Sequence, residues 1–389
     1  MGQRRAARGD RLLPSWRFLA AWVGAVVVLT ALAWVLLPGW DAFSRSRTAR
    51  VERGVVRRVE AAGDSDHLTI ACGARTVALE VERPAGIYAP QAMREGDRVL
   101  VRVPTDGGEP SLGPRLRERS LLLCLAAFFI ILGIAGGPRA LRTALSLLAA
   151  FVLLVVVLVP LTVRGWDPVA VTLPLAAAIA AGTIYVVAGP NRKSTAALLG
   201  TLGGVVLALG VSSVATHVLA LTGLSVEFGP HKAMAYRYWR SEAVGHIDFS
   251  RLLVAGLVIS CLGAAMDVAI SVATSVHEVV ANRPSIPRRA AVWAGLSVGQ
   301  AAVWMTAATL FFVLLGANLE PFLVRSLQHS ASEWVRLVGF EDIATEVVRI
   351  GTAGLTMTLV APLTALFSGL LLAGRPPGQA PDDGGPADA

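Results

Sequence analysis

Stretches of about twenty apolar residues recur along this chain, each about long enough to cross a bilayer core of roughly 30 Å. They cover 16–37, 121–134, 145–163, 169–187, 196–221, 252–280, 290–315 and 351–373, with 121–134 the shortest. Inside lipid the backbone has no water to bond, so such stretches must satisfy their own polar groups as helices. Composition agrees. The chain is 54% hydrophobic and 16% charged, with a mean hydropathy of +0.61, too apolar to keep a soluble surface wet. The predicted fold is an all-α polytopic membrane bundle of about eight transmembrane helices, carrying a small extracytoplasmic all-β, barrel-like module.

The division of the chain follows from the spans. A basic cytoplasmic amino terminus, 1–15, precedes a transmembrane anchor, 16–37. The β module occupies 38–118, the main membrane domain 119–373, and a disordered cytoplasmic tail 374–389. The first span is too long for a signal-peptide core, and no small-residue cleavage site follows at Leu37-Pro38-Gly39, so it reads as an uncleaved anchor. Arg4, Arg5, Arg8 and Arg11 orient the amino terminus inward. Eight spans then put three basic short loops on the same side: Arg139 with Arg142, Arg192 with Lys193, and Arg283 with Arg288 and Arg289. Both termini are thus expected in the cytoplasm, and the membrane is expected to be the bacterial plasma membrane.

Between 51 and 103 the chain alternates in short runs, "GVVRRVE", "HLTIAC", "RTVALEV" and "EGDRVLVRV". Period-two alternation with a Gly-Asp turn predicts a β-barrel or β-sandwich. Such barrels can bind oligonucleotides, but no aromatic platform is present. The net charge of +8 comes largely from arginines between apolar spans, so nucleic acid is not an expected partner. The expected partners are the lipid bilayer, an ion or small solute, and a protein docked on the module.

Cys72, Cys124 and Cys261 form no CxxC pair and offer the module no internal disulfide. Glu227, His231, His246 and Asp248 share one outer loop, open to two readings, an external metal site or ordinary polar surface; no metal or cofactor is assigned. No GxxxxGK[ST], HExxH or GxSxG run occurs, which argues against ATP-driven pumping and hydrolytic chemistry by this chain. An enzyme is not expected.

The chemistry concentrates in "GAAMDVAISVATSVHE", 263–278. On a helix, Ser260, Gly263, Asp267, Ser271, Thr274 and Glu278 form one stripe about 80° wide, with Ser275 at its edge. A charged carboxylate at bilayer depth costs a few kcal/mol or more, so the stripe is expected to face the bundle interior or a water-filled path. Asp267 and Glu278 lie roughly 16 Å apart along the axis, and Asp267 is the deeper. One reading makes Asp267, Ser271 and Thr274 an oxygen-lined ion or proton site, flanked by Ser275 and Glu278. The other makes Asp267 a helix–helix hydrogen bond, and lets Glu278 reach water or pair with Arg283. Gly200 and Gly204 form a GxxxG pair suited to close helix packing.

"LGAAMDVAISVATSVHEV" resembles the signature of the YibE/F-like family of bacterial membrane proteins, a pattern of the type GxxMDxxxSxxSxxxE. The resemblance runs over roughly 120–373. It takes in "WAGLSVGQAAVWMTAATL", with Gly295, Gly299 and Thr309, and a closing motif with Glu346, Arg349, Pro362 and Thr364. It implies a multispan, permease-like protein without naming a substrate. This chain departs from the family pattern at Gly299-Gln300-Ala301, where an arginine and an aspartate would follow the glycine, and at Ala308-Thr309, in place of an Asn-Thr pair. The expected function is therefore a permease-like protein moving an ion or small solute past Asp267. The alternative is a non-transporting scaffold that docks a partner through its β module. Glu346 and Arg349, at i, i+3, can pair with each other, and Pro362 interrupts the hydrogen-bond ladder of the last span.

Overall fold

The computed structural model describes residues 19–24, 26–28, 49–62, 65–73, 75–82, 93–104, 108, 110–223, 247–319, 323 and 339–373. It divides into two compact units, one of 34–141 and one of 1–33 with 142–389.

The first unit holds a five-stranded antiparallel sheet in the order β3-β2-β1-β4-β5. The strands are β1 (Ala49–Ala62), β2 (Ser65–Cys72), β3 (Arg75–Glu82), β4 (Arg98–Pro104) and β5 (Ser111–Arg115). The first four follow the predicted alternation, and β5 was not foreseen. Strand β1 serves both halves, its first part pairing with β4 and its second with β2. A register shift between Val56 and Arg58 marks the change, and a bulge there sharpens the local twist and curls the sheet. Val56, Leu68, Ile70, Cys72, Leu79, Val99 and Val101 fill the concave core. A Cβ at Gly54 would lie 2.9 Å from Cys72 Sγ, so only glycine lets β1 approach this closely. The Gly-Asp turn is present: the Arg94 amide donates to Asp97 Oδ2 at 2.8 Å, and Gly96 has φ +89°.

Eight helices are described: α1 (Leu19–Val28), α2 (Glu118–Gly137), α3 (Ala140–Val163), α4 (Pro168–Ala188), α5 (Arg192–Val218), α6 (Phe249–Asn282), α7 (Arg288–Ala317) and α8 (Glu341–Leu372). Among the described residues, α2 to α8 are seven helices long and apolar enough to cross a membrane. Helix α1 covers part of the predicted first span, and the rest of that span lies outside the described residues. Gly137 separates α2 from α3 with φ +61°, a left-handed conformation glycine adopts without strain. In α3 a π-helical turn, Leu154–Leu158, precedes Pro160, whose missing N–H breaks the α-helical ladder locally.

Short polar side chains start three of the helices, α4, α5 and α6. Asp167, Asn191 and Asp248 accept from Val169, Ser194 and Arg251 amides at 3.2, 2.8 and 3.0 Å, satisfying donors the helix leaves free. The core of the second unit is α5, α6 and α8, packed on one another, with α7 against α6 and α8 and α4 against α6. Glycines set the approach. Gly200 lies against Thr364 and Gly204 against Val360, so the GxxxG pair packs α5 on α8. Gly299 faces Val272 of α6 and Ala361 of α8, where a Cβ would come within 2.8 and 3.1 Å. Gly295 seats on Val276, and Gly369 on Val292. Pro362 lies inside α8, which runs on past it to Leu372.

Candidate functional site

Helix α6 has two unlike faces. Ala255, Val258, Cys261, Leu262, Ala265, Val268, Ala269, Val272, Ala273 and Val276 are buried in the bundle. The predicted polar stripe is elsewhere. Ser260, Gly263, Asp267, Ser271 and Glu278 are exposed, and Thr274 and Ser275 half-buried. A Cβ at Gly263 would meet nothing within 4 Å. Among the described residues, then, the stripe does not point into the helix–helix interior; it lines the open side of α6. Its residues stay together as a continuous polar strip along that side.

The hydroxyls along it are folded back on their own helix. Ser271 Oγ donates to the carbonyl of Asp267 at 2.8 Å, Ser275 Oγ to that of Ser271 at 2.9 Å, and Ser260 Oγ to that of Leu257 at 2.8 Å. Each hydroxyl still has lone pairs to offer a ligand. The Asp267 carboxylate accepts no hydrogen bond and forms no ion pair among the described residues. Glu278 makes no ion pair with Arg283. A partner-free carboxylate with the Ser271 hydroxyl one turn away can bind a cation or exchange a proton with water.

The interior has its own polar line, on α8. Arg349 Nη1 lies 2.9 Å from Glu346 Oε1, the predicted i, i+3 pair. Among the described residues, Glu346 Oε2 and Arg349 Nε are buried without a hydrogen-bond partner, as are the hydroxyls of Thr352, Thr364 and Ser368, while the Thr356 hydroxyl, in the same row, lies against the Cys261 thiol. Buried polar atoms are normally bonded to protein or ordered water, so this row is an unusual polar seam where α8 packs closely on α5 at Gly200 and Gly204. Sequence reasoning found Glu346, Arg349 and Thr364 through the closing motif but missed Thr352, Thr356 and Ser368. Their spacing, with Thr352–Thr356 and Thr364–Ser368 each four apart, was the available signal. The other motif residues are structural in place. Gly295 and Gly299 are helix contacts, and Thr309 is exposed on α7, its hydroxyl donating to the carbonyl of Met305 at 3.0 Å.

Among the described residues no group of three or more His, Cys, Asp or Glu could hold a metal ion. Of the outer-loop set, Glu227, His231 and His246 lie outside the described residues. Cys72, Cys124 and Cys261 are free.

The polar strip, the α8 pair and the packing glycines all fall within one matched region: a family model described as YibE/F-like protein matches residues 124–374. The chain belongs to the YibE/F-like family. No curated protein and no solved structure matches it. As a YibE/F-like protein with several apolar helices it is a multi-pass membrane protein. The YibE/F-like region begins within α2 and excludes the sheet.

Proposed function

We propose that this YibE/F-like protein is a permease that moves an ion or small solute past Asp267. One observation carries the reading: Asp267 is partner-free among the described residues and sits mid-strip on the open side of a helix otherwise apolar enough to cross the bilayer. Lipid is not an acceptable neighbour for that carboxylate, because its burial in hydrocarbon costs a few kcal/mol or more. Water along a conduction path is acceptable, and the adjoining Ser271, Thr274 and Ser275 oxygens extend the polar surface toward Glu278. On this reading the protein lies in a bacterial plasma membrane with both termini in the cytoplasm and the β module outside, and acts without catalysis, cofactor or nucleic acid. The test is flux into proteoliposomes, screening protons, sodium and divalent cations. Asp267→Asn should abolish ion-dependent flux while leaving the amount of folded protein nearly unchanged. Normal flux in that variant rules the mechanism out.

A scaffold that docks a partner through the β module is favoured by one observation. Gln300 and Ala301 stand where the family pattern has an arginine and an aspartate. Wild-type protein that supports no flux of any screened ion, yet co-purifies with one stoichiometric partner only when the module is intact, would select this second reading.

A further inference from the structure

At one end of the bundle, where α3 finishes and α4 and α6 begin, a cavity of about 200 Å³ opens between Thr162, Trp166, Asp167, Asp248 and Arg251. We infer that this cavity is a binding site for a small organic cation of the alkylammonium class. The inference is independent of transport and of Asp267.

Charge selects the sign of the ligand. The lining carries two carboxylates and one guanidinium. Arg251 is already committed: its Nε donates to Asp167 Oδ1 at 2.7 Å and its Nη2 to Asp167 Oδ2, a two-pronged pair. The helix amino termini that could attract an anion are likewise taken, α4 by Asp167 and α6 by Asp248. What remains is the second oxygen of Asp248, whose first accepts the Arg251 amide at 3.0 Å. The lining therefore carries a net negative charge, with one Asp248 oxygen free of hydrogen bonds among the described residues, and suits a cation.

The other walls select its kind. Trp166 lines the cavity and is 61% exposed, so its ring is free to take a cation on its face, as aromatic walls do for ammonium groups. Thr162 closes the inner wall: it is 4% exposed, and its hydroxyl is buried rather than presented to the cavity. A bare metal ion needs several oxygen or nitrogen ligands at once, and no cluster of three such residues exists here among the described residues. One carboxylate and an indole face match an alkylammonium better. At ~30 Å³ per water-sized group, the cavity has room for a compact cation such as tetramethylammonium.

The probe is radiolabelled tetramethylammonium, measured by equilibrium dialysis against the purified full chain in detergent at low salt. Saturable binding is expected. Asp248→Asn should weaken it about tenfold, the usual scale for losing a charged partner. Asparagine still caps a helix, so a normal size-exclusion profile is expected for that variant. Trp166→Ala should weaken it roughly fivefold. Absence of saturable binding overturns the site. So does equal binding by Asp248→Asn and wild type, or by Trp166→Ala and wild type, the latter making Trp166 only an interfacial anchor. Manganese binding that depends on Asp248 and is not displaced by tetramethylammonium overturns the class of ligand.

Discussion

Asp267 and Thr364 show how differently two polar residues of one bundle can be placed. Thr364 is fully buried, its Cβ and hydroxyl filling the space that Gly200 leaves. Asp267 is exposed on the open side of α6 and accepts no hydrogen bond among the described residues. The contrast gives Ser271 a discriminating role. If the strip lines a conduction path, Ser271→Ala should weaken ion affinity several-fold in the flux assay without stopping transport, because one neutral oxygen contributes about 1 kcal/mol. If the strip only packs against another helix, the same change should leave both flux and folded yield unaltered, as an interhelical hydrogen bond averages roughly 0.6 kcal/mol. Cys72 is a different case of placement. Desolvation, and then the nearby charge of Glu52, push its thiol up from the ordinary range. Being buried as well, it should stay silent to thiol reagents at neutral pH.

Between elements, glycine decides which helices touch. Gly200 and Gly204 bring α5 onto α8, while Gly263, on α6, faces open space. Gly200→Val should therefore sharply reduce the folded protein recovered from the membrane, since its side chain would enter the volume of Thr364. Gly263→Ala should leave recovery unchanged. Fluorescence-detected size exclusion measures both, and equal loss in the two variants contradicts the packing described. The sheet makes a second element-scale case. Its core is closed by seven buried residues drawn from β1 to β4, and β5 pairs with β4 as far as Arg115. Residues 42–117 expressed alone should give a β-type circular dichroism spectrum and a cooperative melt. A piece ending at 112 removes most of β5 and should melt lower. A random-coil spectrum for the longer piece overturns its independence.

For the whole molecule the arginine pattern predicts a sidedness that labelling can test. A cysteine introduced as Pro110→Cys should react with an impermeant maleimide added outside intact cells, and Ile286→Cys should react only after permeabilisation. The exposed Cys124 is replaced by serine in both, and Cys72 serves as the silent internal control. The reverse pattern overturns the orientation.

Seven apolar helices, four of the five strands and the Glu346–Arg349 pair were legible in the sequence, because each rests on local period or on neighbours three or four residues apart. So was the polar strip of α6 as a strip. Strand β5 was not, since "SLGPR" has no alternation of its own and is a strand only because β4 offers it an edge. Nor could the sequence say which way the strip of α6 turns. Periodicity groups residues on a face, but the face that meets the bundle is chosen by the better-packing partner. Here Ala265, Val272 and Val276 fit the grooves opened by Gly204, Gly299 and Gly295, leaving Asp267 outside. The cavity beside Trp166 was hidden for the same reason. Asp167 and Arg251 are 84 positions apart, and only the packing of α4 against α6 makes them neighbours.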